Sequence, residues 1–122
     1  MATRDLRERT RRFALRIVHL CRSLPRTMEG KVIGLQLLRC GTSVAANYRA
    51  VCRARSRAEF AAKLGIVLEE ADEAAFWLEL LVDAEIFRRQ QLDQLLAEAN
   101  ELVAIFVASR QTTMKQAAVG DS

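Results

Sequence analysis

Residues 43–60 read SVAANYRAVCRARSRAEF, and the fold turns on whether a helix runs straight through them or bends. No glycine or proline lies between Val44 and Leu64, so composition alone leaves one long helix open. Against it stands Ser56-Arg57-Ala58-Glu59, which has the spacing of a capping box. In such a box the serine hydroxyl accepts from the amide three residues on, and the glutamate side chain returns to the serine amide. Length argues the same way, because an unbroken helix would run beyond about fifty residues against a mean near twelve in globular proteins. The stretch therefore reads as a corner at Ser56 between two helices.

Upstream of the corner, Ile33, Leu37, Cys40, Val44, Tyr48 and Val51 recur at steps of three and four, the spacing of one helical face. Thr27 is placed to cap that helix, and Pro25 ends the preceding one, predicted over Thr3–Ser23 from Leu6, Phe13, Ile17, Leu20 and Leu24. The second helix is rich in small residues, including Gly34, Gly41, Ala45, Ala46 and Ala50. Glycine inside a helix costs about 1 kcal/mol relative to alanine, so its presence predicts a neighbouring backbone at close approach.

Downstream, Phe60, Leu64, Leu68, Ala71, Ala75, Leu78 and Val82 form one stripe of a third helix. Ile66, Phe76, Trp77 and Leu80 fall off that stripe, more apolar surface than a lone bundle covers, which predicts an oligomer interface on those four residues. Asp83–Arg89 reads as the third connection. Leu92, Leu95, Leu96, Ala99, Leu102, Val103 and Phe106 then define a fourth helix, and the polar stretch 111–122 is expected to be a disordered tail. The fold expected is all-α: an up-down-up-down antiparallel four-helix bundle in one domain over residues 1–110.

Composition agrees, since one proline and five glycines in 122 residues leave little turn material for a β fold. Charge is unevenly placed: residues 1–60 carry a net +10 and residues 61–122 a net −6. Such a split fits either a nucleic-acid surface or two faces that pair with each other. Three cysteines without CxxC spacing point to reduced thiols and a cytoplasmic setting, and no apolar stretch is long enough for a membrane.

The sequence holds no catalytic constellation, metal set or cofactor motif. The single histidine, His19, has no glutamate three residues before it, as a di-metal bundle site requires, and it reads as a partly buried side chain. Glu69, Glu70, Asp72 and Glu73 read as a solvated or salt-bridged face. No nucleophile elbow or phosphate-cradling glycine loop is present, so the chain is expected not to be an enzyme.

Arginines carry the remaining signal. Arg9, Arg12 and Arg16 share a helical face, and Arg49, Arg53, Arg55 and Arg57 cluster at the corner, a distribution suited to phosphate contact. Gln36, Arg39, Ser43 and Asn47 make a polar strip beside the core face of the second helix. The strip is either ordinary boundary surface or a hydrogen-bonded seam to carboxylates of the third helix or of another subunit.

Leu24-Pro25, Gln36-x-x-Arg39, Ser43-Val44-x-x-Asn47-Tyr48, Ser56-x-x-Glu59-Phe60 and the run KLGIVLEEADEAAFWLELL at 63–81 occur in an order that resembles the bacterial 23S rRNA intervening-sequence proteins. The likeness spans residues 10–108. It implies a short four-helix bundle that assembles as a ring-shaped homopentamer, with a basic surface for RNA or DNA. It also implies, through a related branch of accessory proteins of diversity-generating retroelements, a reverse transcriptase or other nucleic-acid protein as partner. Where many members have an acidic residue and glycine after the asparagine, this chain has Asn47-Tyr48-Arg49-Ala50. Two functions follow as expectations: a non-catalytic oligomer holding nucleic acid or its enzyme through arginines, or a purely structural or protein-interaction scaffold.

Overall fold

The computed structural model describes residues 3–119. It contains four helices and, among the described residues, no strand: α1 (Thr3–Arg22), α2 (Met28–Val51), α3 (Arg57–Asp83) and α4 (Arg89–Ala118). Each boundary has a chemical cause. Pro25 blocks continuation of α1, and Ser23 folds back through its hydroxyl onto the Leu20 carbonyl at 2.8 Å. Thr27 opens α2, its Oγ1 accepting from the Gly30 amide at 3.1 Å.

Ser56 opens α3 from an extended backbone, and its hydroxyl accepts from the Glu59 amide at 3.1 Å. Only that half of the box is made, because the Glu59 carboxylate turns to Lys63, one turn on, at 3.4 Å. The corner at Ser56 stands nonetheless. At the far end of α3 the chain reverses through Glu85 at φ 61°, with Ile86 N–H bonded to the Leu81 carbonyl and Glu85 N–H to that of Val82, each at 3.0 Å. That pattern is a Schellman stop with a glutamate in the left-handed position. Gln91 then starts α4 by accepting from the Arg88 amide at 2.8 Å.

The expected end at residue 110 is corrected. α4 continues to Ala118, so the span 111–118 is helix rather than a disordered tail, while 120–122 lie outside the described residues. Arg110 donates to the Ala61 carbonyl at 3.2 Å and Thr113 is buried, bonding back to Ser109 at 2.8 Å. Arg110 thus ties α4 to the first turn of α3 just before the extra turns, and Thr113 within them is buried, which polarity alone did not reveal.

α1 packs along α2, α2 on α3 and α3 on α4, while α1 meets α4 only over a short stretch. Tyr48 and Phe106 meet across the core with ring centroids 5.8 Å apart. Because α3 has a neighbour on either side, it buries a broad surface: Ala61, Leu64, Val67, Ala71, Ala74, Ala75, Leu78 and Leu81. Phe60, Leu68 and Val82, placed on the predicted core stripe, are only partly buried at its margins. Among the glycines of α2, Gly30 lies against the Pro25 carbonyl of the preceding turn, whereas Gly34 and Gly41 mark close approach of side chains from α1 and its C-terminal turn. A Cβ on Gly41 would come within 2.9 Å of Ile17, and one on Gly34 within 2.8 Å of Leu24.

Candidate nucleic-acid interface

Leu6, Thr10, Phe13 and Ile17 form the buried face of α1, and that phase decides where its arginines go. Arg9 falls on the α4 side, where it grips Glu98 at 2.6 Å and Glu101 at 3.2 Å. The Glu98 hydrogen bond raises its pKa further, against the effect of burial. Arg12 pairs with Glu8 on its own helix at 3.4 Å. Arg16 is exposed.

Arg7 and Arg11 fall on the opposite side, toward α2. With Arg49 they line a groove of about 580 Å³ between α1 and α2, whose remaining lining is Glu8, Thr42, Ala45 and Ala46. Among the described residues none of these three guanidinium groups has an ionic partner. Arg53 and Arg55 are exposed at the corner beyond Arg49, and Arg57 is the exposed first residue of α3.

Of the arginines singled out from the sequence, Arg49 lies in this groove, while Arg9 and Arg12 are paired with carboxylates elsewhere; Arg7 and Arg11, not singled out from the sequence, complete it. The available signal was phase. Arg7 and Arg11 each follow a buried residue, Leu6 and Thr10, by one position and so share the shoulder of the core stripe. No ring lies in the groove: Tyr48 is buried, and Phe60 packs partly against the core.

The polar strip of α2 divides. Arg39 reaches α3 of its own chain, pairing with Glu70 at 3.2 Å and Glu73 at 2.5 Å, and Gln36 accepts from it at 3.4 Å. Trp77 donates its indole N–H to Glu73 at 3.1 Å. That bond first, and the Arg39 bond second, hold the Glu73 carboxyl below the usual carboxylate range. Ser43 and Asn47 stay within α2, where the Asn47 amide donates to the Ser43 carbonyl at 3.0 Å.

Of the four residues assigned to an interface, Ile66 and Phe76 stand half exposed, at 50% and 52%. Trp77 and Leu80 pack partly on the core of their own chain, with the Phe76 ring edge-on to Trp77 at 4.9 Å. The same outer face of α3 presents Glu69, Asp72, Glu79 and Asp83 to solvent. Burial pushes the Cys40 thiol up to about 12, which makes it a core side chain and not a nucleophile. His19, expected to be partly buried, is exposed on α1. No described helix is long and apolar enough to cross a membrane.

The model of the 23S rRNA-intervening sequence protein family matches residues 4–108. The chain belongs to that family. The match runs from the first turn of α1 into α4 and takes in both arginine-bearing shoulders of α1. A solved structure carries the same fold: a protein of unknown function from the S23 ribosomal protein family of Bacteroides thetaiotaomicron. It is 35% identical, with a TM-score of 0.83, over 91% of this chain and 99% of that one. No curated protein matches the sequence.

Proposed function

We propose that this chain is a non-catalytic subunit of a homo-oligomeric ring, pentameric as the resemblance implies, that holds RNA or DNA, or an enzyme acting on it, through the arginines of α1 and α2. One observation carries the reading. Carboxylates of α3 and α4 answer Arg39 and Arg9, and Glu8 of α1 answers Arg12, whereas Arg7, Arg11 and Arg49 line one groove with no ionic partner among the described residues. Uncompensated guanidinium groups in a shared groove attract polyanions, and they do so by displacing condensed counterions. Exposed Ile66 and Phe76 supply the apolar contact for a neighbouring copy.

A second reading has its own support. The outward carboxylates of α3 complement the arginine face, so adjacent copies in a ring satisfy each other and the protein acts purely as a scaffold. Titration with structured RNA and duplex DNA at rising salt separates the two. Nucleic-acid binding predicts affinity that falls steeply between about 50 and 200 mM salt, and intact assembly after Arg49→Glu and Arg53→Glu. Scaffold function predicts that these substitutions break the assembly and that no nucleic acid binds.

A further inference from the structure

We infer that the α1–α2 groove takes the phosphodiester backbone of a nucleic-acid duplex, reading its charge and shape but not its bases; this rests on the nucleic-acid reading above and specifies its ligand. Three features of the groove select that ligand. First, Arg7 and Arg11 sit one helical turn apart, about 6 Å along the axis, with Arg49 across from them on the antiparallel helix. That spacing presents separate guanidinium groups to successive phosphates rather than one fork to a single anion.

Second, the floor is Thr42, Ala45 and Ala46, side chains short enough to let a backbone lie down between the helices. The one carboxylate of the groove, Glu8, is drawn toward Arg12 at 3.4 Å.

Third, the groove offers no aromatic face. Single-strand binders that ignore sequence draw about 1–3 kcal/mol per base from stacking on aromatic rings. Here Tyr48 is spent on Phe106 inside the core and Phe60 packs against the helices, so unpaired bases find nothing to stack on. A duplex needs no such platform. It already holds its bases, and it presents a higher and more regular phosphate density. The line of positive charge continues past Arg49 to exposed Arg53 and Arg55 at the same end of the bundle. A strand lying in the groove therefore leaves it over further cations. Phosphate contacts of this kind fix position without specifying sequence.

The test is fluorescence anisotropy of the full chain with a labelled 20-bp DNA duplex, the matching RNA duplex, each single strand and poly-glutamate, between about 50 and 200 mM salt. Three phosphate contacts correspond to a log–log slope near −2.7 and roughly a fortyfold loss of duplex affinity across that range. The combined change Arg7→Gln, Arg11→Gln and Arg49→Gln should remove about that slope, while Arg26→Gln at the opposite end should not. Circular dichroism of each variant checks the fold. The RNA and DNA arms show which duplex is the better source, and binding of either through the groove supports the inference.

Single strands or poly-glutamate bound as tightly as a duplex would overturn it. So would a triple variant that binds duplex with the wild-type slope, which would leave nucleic-acid binding intact but move it elsewhere. Absence of binding by any nucleic acid at the lowest salt would remove the broader reading as well.

Discussion

A methyl group at position 41 would collide with Ile17, and the outcome shows how two effects of similar size are ranked. Replacing a helical glycine with alanine favours the helix by about 1 kcal/mol. Overpacking a filled core costs about 1–3 kcal/mol. The atoms in the way are the branch carbons of a fully buried isoleucine, which have nowhere to retreat, so overpacking wins. Gly41→Ala should lose about 1 kcal/mol in urea denaturation. Ile17→Ala in the same background should cost less than it does alone, with a coupling of about 1 kcal/mol. Additive losses would mean that the helices simply shift apart.

Glu73 supplies a second residue-scale prediction. Its folded pKa is lowered, so its stabilising contribution is complete above the ordinary carboxylate value and fades as pH falls through the lowered one. Glu73→Gln should therefore melt below the wild type at pH 7, and the gap should close in acid. A gap that stays constant with pH would show that the Trp77 and Arg39 bonds to the carboxylate contribute no linkage.

At the scale of elements the connections determine the fold more than the helices do. Glu85 holds the left-handed position of the α3 stop, where a side chain costs about 1 kcal/mol that glycine avoids. Glu85→Gly should raise the melting temperature by roughly 4 °C; a lowered one would mean that the side chain makes a compensating contact. Such stops and starts were mostly readable in advance. Thr27 and Ser56 announced two helix starts through hydrogen bonds within three residues of themselves, and a local signal survives without knowledge of the neighbours.

The phase of α3 was not readable to the same degree. A helix greasy on most sides gives hydrophobicity no preferred direction, and its core face was set by where alanines let α2 and α4 approach. The end of α4 was hidden for a related reason: Arg110 and Thr113 look polar but are held by α3 and by the helix backbone. Arg7 and Arg11 escaped notice because Arg9, Arg12 and Arg16 formed the more obvious series.

On the scale of the whole molecule, basic α1 and α2 are tied to α4 and to acidic α3 by two seams, Arg9 to Glu98 and Glu101, and Arg39 to Glu70 and Glu73. What the seams leave over is a basic groove on one side and, on the outer side of α3, carboxylates flanking Ile66 and Phe76. In the proposed assembly the exposed pair Ile66 and Phe76 meets a neighbouring copy and leaves the groove open, and a head-to-tail contact of that kind closes into a ring when the rotation between copies permits. On the proposed ring, several copies of one groove would multiply the effective concentration of phosphate contacts. The mass of the tag-free protein, measured by light scattering at near-physiological salt, tests this most directly. The account predicts a species about five times the 13.7 kDa chain that falls to a smaller one when Ile66 and Phe76 are both changed to serine. A single 13.7 kDa species persisting at high concentration would contradict it.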